Sequence, residues 1–126
     1  MANNHLIDAS VLAEILKERY NKEKCLDYLS SLKGELFVSI LSISIAWHYS
    51  SDPETIEFCK DFLDSFTPLH LTKNDLYMAY ELWNYEDFED ALQVSSCLNN
   101  NISTIVTLDK KLAEKYKSTL QVELIQ

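Results

Sequence analysis

The sequence predicts an α/β domain in which a mainly parallel sheet is covered on both faces by helices. Two observations carry this. Short apolar runs of strand length alternate with segments whose apolar residues recur at helical spacing along the whole chain, and strands separated by helices end up parallel. The 126 residues are 47% apolar and 25% charged, which suits one compact domain over residues 1–126 and is too hydrophobic for a disordered segment. The single glycine, Gly34, rules out the glycine-rich loops that cradle dinucleotides and nucleoside triphosphates.

His5-Leu6-Ile7-Asp8 reads as a strand ending in an acid, and Val11, Leu12, Ile15 and Leu16 then recur at helical spacing to about Arg19. A second helix covers roughly Lys22 to Leu32 with Cys25, Leu26 and Leu29 inward, and Gly34 precedes the strand Glu35 to Val38. Leu41 to Tyr49 reads as a helix. Ser50 to Glu54, with Pro53 at a first helical position, starts another that buries Ile56, Cys59, Phe62, Leu63 and Phe66. Pro68 to Leu71 is a short strand, and Thr72 to Asp75 opens a helix showing Leu76, Ala79, Tyr80 and Trp83. Asp87 begins a helix with Ala91, Val94, Ser95 and Leu98 on one face. Ile102 to Thr107 is strand-like, Asp109 caps a helix from Lys110 to Tyr116, and Gln121 to Leu124 is the last strand.

The three cysteines, Cys25, Cys59 and Cys97, sit far apart in apolar helical contexts and read as buried free thiols. With no signal-like start and no apolar run of spanning length, the expectation is a cytoplasmic protein without a membrane partner. The formal charge is -9, yet it is local: residues 52–90 hold eleven acids and two lysines, and the remainder balances. A nucleic-acid partner is therefore not excluded, although contact would be salt-sensitive rather than a broad basic footprint.

In an open parallel sheet the functional crevice lies beyond the carboxyl ends of the strands. Asp8, Asp90 and Asp109 are addressed to that place. Individually, Asp8, Asp87 and Asp109 suit helix caps, and Asp90 a capping partner three residues after Asp87. Together, carboxylates repel unless a cation sits among them, and a few oxygens plus water are how Mg²⁺ or Mn²⁺ is held.

Leu6-Ile7-Asp8-Ala9-Ser10-Val11-Leu12 resembles the opening motif of PIN-domain nucleases, Asp87-Phe88-Glu89-Asp90-Ala91-Leu92-Gln93 resembles their third-acid helix, and Ile105 to Ala113 resembles their strand–Thr–x–Asp motif. The order and spacing agree over essentially the whole chain, most closely with VapC-type toxins and related stand-alone proteins. The resemblance implies a three-layer α/β/α fold and a metal-dependent endoribonuclease. Asp8, Asp90 and Asp109 match the acids that hold Mg²⁺ or Mn²⁺ and carry catalysis, while Ser10 and Thr107 match supporting hydroxyls. It further implies an RNA substrate, a small antitoxin partner and a homodimer.

One family acid is absent. A Glu belongs in the helix after the second strand, but no Asp or Glu occurs from Leu36 to Ser51, and the matching position falls on Ser44, Ile45 or Ala46. His48 reads as an ordinary amphipathic histidine, because a lone imidazole is poor Mg²⁺ chemistry. Asp87 or Glu86 could supply a replacement carboxylate. The gap also motivates the competing expectation of a degenerate PIN domain serving as a binding or assembly module. For RNA docking the candidates are Lys110, Lys111 and Lys115, with Lys117 beyond them and Lys17, Arg19, Lys22 and Lys24 after the first helix; the first group reads equally as a solvated helix face around Glu114. Trp47, Tyr49, Tyr77, Tyr80, Trp83 and Tyr85 could stack on bases, although the helical spacing of Tyr80 and Trp83 reads rather as core or dimer surface.

Overall fold

The computed structural model describes residues 3–17, 19–48 and 53–126, without the side chains of Ala46, Trp47, Thr55 and Cys59. The expected helix start at Ser50 to Asp52, and the burial of Cys59, lie outside what is described. Twelve elements follow in chain order: β1 Asn4–Ile7, α1 Ala9–Leu16, α2 Lys22–Ser31, β2 Glu35–Ser39, α3 Ile40–His48, α4 Pro53–Leu63, β3 Thr67–Leu69, α5 Lys73–Leu82, α6 Phe88–Asn99, β4 Thr104–Thr107, α7 Lys110–Tyr116 and β5 Gln121–Leu124. The strands form one five-stranded sheet in the order β3-β2-β1-β4-β5, every neighbouring pair parallel.

Strand alternation explains the three layers. Ile7 and Val106 face one side, where they pack with Val11, Leu12, Ile15 and Leu16 of α1 and Cys25 and Leu29 of α2. Leu6 and Ile105 face the other, against Val94 and Cys97 of α6 and Leu112 and Tyr116 of α7. Successive residues on adjacent strands thus feed two separate cores. Gly34, at φ +105°, lets the chain turn into β2: a Cβ there would lie 1.7 Å from the Asn3 carbonyl oxygen, which instead accepts the Glu35 N–H at 3.1 Å.

Four expectations are corrected. The third strand lies one to two residues earlier than Pro68 to Leu71, because its register pairs Thr67 to Leu69 with Phe37 to Ser39. On α4, Ile56 is 41% exposed rather than inward. On α5, Leu76 and Tyr80 face out, whereas Asp75 and Ala79 are buried. The cause is α6: every residue from Ala91 to Cys97 is buried, with Val94 and Cys97 in the sheet-side core and Ala91 and Leu92 packed with Ala79 of α5. A helix enclosed on two sides carries no single apolar stripe, and Leu98, expected inward, is 37% exposed.

Asp75 fixes this pairing of helices. It completes a capping box with Thr72 and accepts hydrogen bonds from Asn99 Nδ2 at 2.7 Å and Ser96 Oγ at 3.4 Å. Cys25 and Cys97 are buried thiols, and burial pushes Cys97 up to about 12.

Candidate active site at the carboxyl edge of the sheet

β1 and β4 are adjacent and parallel, with Ile7 opposite Val106, so their carboxyl ends deliver Asp8 and Thr107 side by side. The Asp8 N–H continues the ladder by donating to the Val106 carbonyl at 2.9 Å. Asp8 stands at the N-cap of α1, yet its side chain makes no cap hydrogen bond. Its carboxylate turns inward, 3% exposed, and is held by three donors. Ser10 Oγ and Thr107 Oγ1 donate to Oδ2 at 2.6 and 2.7 Å, and Gln93 Nε2 donates to Oδ1 at 2.5 Å. The capping role expected for this residue is therefore not the one its side chain takes.

The two hydroxyls also organise the next loop. Ser10 Oγ accepts the Leu108 N–H at 3.1 Å, and Thr107 Oγ1 accepts the Asp109 N–H at 3.0 Å. Asp109 then caps α7, its Oδ1 accepting from the N–H groups of Lys111 and Leu112. Asp87 does the same for α6, accepting the Asp90 N–H at 3.3 Å. For Asp87 and Asp109 the capping role and the site role coexist, because the two helix starts converge beside one strand edge.

One carboxylate oxygen from each of Asp87, Asp90 and Asp109 lies within 4.8 Å of the others. Asp8 does not join that set but lies close enough to act on it. Burial, then the charges of Asp8, Asp87, Asp109 and Glu89, raise the Asp90 carboxyl from 3.8 to about 7. Burial and then Asp8 and Asp87 also push Glu89 upward. A cavity of about 350 Å³ opens over the cluster, lined by Glu86, Asp87, Asp90, Asp109, Lys111 and Lys115.

The donor set fits a hard divalent cation. It is all carboxylate oxygen, with no thiol or imidazole in the cluster, which is Mg²⁺ or Mn²⁺ rather than Zn²⁺ chemistry. Burial first, and then four neighbouring acids, disfavour the charged form of Asp90, and a cation among them would offset that repulsion.

At the position of the absent family acid, α3 presents Ser44 to solvent, while Ser42 is buried with its Oγ lacking a hydrogen-bond partner among the described residues. His48 is exposed. Of the lysines, Lys110 and Lys111 are exposed, whereas Lys115 is partly buried and donates to the Trp83 carbonyl at 2.9 Å, with Glu86 at 4.0 Å. Lys115 thus braces the turn before α6, where Asn84 and Tyr85 adopt φ of 51° and 59°. Gln93 is the site neighbour that sequence reasoning missed. Its one signal was a long polar side chain three residues after Asp90 on a helix otherwise rich in small and apolar residues.

Acids from two strand ends and one helix start are thus gathered at the carboxyl edge of a parallel sheet in an α/β/α domain. The sequence matches the PIN domain over residues 5–118, and the chain belongs to that family, whose members are generally nucleases. No curated protein matches the sequence significantly. Among solved structures, a toxin–antitoxin complex from Klebsiella pneumoniae matches with TM-score 0.73 at 12% identity, over 97% of this chain and 98% of that one. VapBC2 from Rickettsia felis, bound to a DNA fragment from its promoter, matches with TM-score 0.69 at 15% identity, over 98% and 99% of the two chains. VapBC-1 from nontypeable Haemophilus influenzae gives 0.70 at 13%, over 96% and 97%. At these identities the likeness is one of fold. No helix among the described residues is long and apolar enough to cross a membrane.

Proposed function

We propose that this protein is a Mg²⁺- or Mn²⁺-dependent endoribonuclease. The observation that carries the reading is the gathering of Asp87, Asp90 and Asp109 within 4.8 Å beside the buried Asp8, at the carboxyl end of the sheet. Asp90 and Asp109 would hold the cation with Asp8. Asp87 stands where it can replace the acid that α3 lacks. When bound, the divalent ion supplies the positive charge that activates a water toward a phosphodiester and stabilises the leaving oxygen.

The chain's own residues have distinct tasks in this reading. Ser10, Thr107 and Gln93 fix the Asp8 carboxylate in one orientation, so its position does not have to be found during turnover. Asp90, raised to about 7, would hold the ion as the carboxylate and so would give up its proton when the cation binds. Lys111, on the cavity wall, is placed to meet a phosphate, and Lys110 lies beside it on the exposed start of α7. Lys115 is committed to the Trp83 carbonyl and serves the wall rather than a free phosphate contact.

The reading extends to partners. A toxin–antitoxin complex that shares the fold supports a small antitoxin partner, and a homodimer completes the reading. The competing reading, a non-catalytic binding module, draws on the missing acid of α3. Cleavage of a labelled RNA with Mg²⁺ or Mn²⁺, abolished by Asp8→Asn and Asp90→Asn, supports the nuclease. Absence of cleavage under every metal condition, with no Mn²⁺ bound, supports the module.

A further inference from the structure

We propose that Gln93 is a positioning residue of the site, fixing which oxygen lone pair Asp8 presents. This rests on the metal-dependent reading above and adds a residue to it. Gln93 is 1% exposed and lies on α6 three residues after Asp90, so one rigid helix carries both. Among the polar residues of the enclosed stretch Ala91 to Cys97, Ser95 bonds back to the Ala91 carbonyl and Ser96 reaches Asp75. Gln93 alone of these three reaches the Asp8 carboxylate, at 2.5 Å.

The amide orientation is dictated by its partner. Nε2 must face Asp8, because turning the amide over would set Oε1 against a carboxylate oxygen. The consequence is that Oε1 is left buried without a hydrogen-bond partner among the described residues. An apolar side chain of similar shape would leave no such orphan but would strip Asp8 Oδ1 of its donor, so the amide at this position is committed to the Asp8 carboxylate.

The bonding pattern of Asp8 supplies the reason. A carboxylate offers about four lone-pair directions. Ser10 and Thr107 occupy Oδ2, and Gln93 occupies one direction of Oδ1. Among the described residues, the second direction of Oδ1 is the one that no donor takes, and it is the direction Asp8 would offer a cation. Without Gln93 the carboxylate could rotate about its remaining two bonds, and both Oδ1 directions would be open.

Gln93→Met, close in length and shape, tests this. In the full chain the variant should melt cooperatively, its Mn²⁺ dissociation constant by calorimetry should rise by about 10- to 100-fold, and kcat on an RNA oligonucleotide should fall with KM unchanged. In an Asp8→Asn background the same substitution should leave Mn²⁺ affinity where Asp8→Asn alone put it. Gln93→Asn, which keeps the amide and shortens it by one methylene, should reproduce the loss if the methionine variant does not fold. A lowered melting temperature with Mn²⁺ affinity and kcat unchanged makes Gln93 a structural staple and overturns the proposal. Should Asp8→Asn weaken Mn²⁺ binding while neither Gln93 variant does, this proposal falls and the metal reading stands. A wild-type chain that binds no Mn²⁺ overturns both.

Discussion

Thr107 Oγ1 donates to Asp8 Oδ2 at 2.7 Å while accepting the Asp109 N–H at 3.0 Å. One fully buried hydroxyl thus ties the acid after β1 to the acid that starts α7. Thr107→Val keeps the shape and removes both bonds. Its expected effect is a loss of about 10- to 100-fold in kcat, the scale of residues that support a metal ligand, with a stability loss of about 1–3 kcal/mol from the unpaired Asp109 N–H and weakened Asp8 contact. Single-turnover kinetics and urea melts measure the two separately.

The Asp90 carboxyl gives the metal-free protein a defined pH dependence. Its folded value of about 7 lies above its ordinary 3.8. Between those values the folded chain holds a proton that the unfolded chain has released. This group's stabilising contribution is therefore complete below the ordinary value and is lost as pH rises through 7. Melting of the metal-free protein should show Asp90→Asn gaining more stability relative to wild type at pH 8 than at pH 5. Mn²⁺ should raise the wild-type melting temperature more at pH 8 than at pH 6, since at the lower pH it must displace the proton.

Asp75 is an acid of a different kind. It is fully buried, and its partners are Thr72, Ser96 and Asn99 rather than the cluster. Asp75→Ala should destabilise the fold by about 2–4 kcal/mol, through a lost cap and unpaired buried donors. At a temperature where the variant is folded, Mn²⁺ affinity should match wild type. A loss of affinity in a folded variant would show that α5 acts on the site.

How much of this the sequence disclosed follows from the range of the interactions concerned. The alternation of Leu6 and Ile7, or Ile105 and Val106, is local and reads directly as strand. Asp109 before Lys110 is a local cap, and that helix and the last strand run as expected. What escaped depends on what packs from elsewhere. The outward turn of Leu76 and Tyr80 follows from α6 covering the opposite side of α5, which no window on α5 alone contains. Gln93 escaped for the same reason, since the residue it serves lies 85 positions away. Asp87 was legible as a cap and as a candidate replacement carboxylate, but which of Asp87 and Glu86 joins Asp90 and Asp109 was decided only when the two helix starts were brought together.

Lys111 and Lys115 separate by task. Lys111→Ala should raise KM for RNA and flatten its salt dependence with little change in melting temperature, as expected for an exposed phosphate contact. Lys115→Met should instead lower the melting temperature, because it releases the Trp83 carbonyl at the strained Asn84–Tyr85 turn. Salt titrations of KM beside thermal melts distinguish the two.

The central claim, that these carboxylates form a divalent-cation site, is tested most directly by titrating metal-free protein with Mn²⁺ and following bound ion by electron paramagnetic resonance. Saturable binding at pH 8 that is lost in Asp90→Asn and weakened in Asp8→Asn is the predicted result. Binding that is absent in the wild type, or equal in the wild type and both variants, would contradict it.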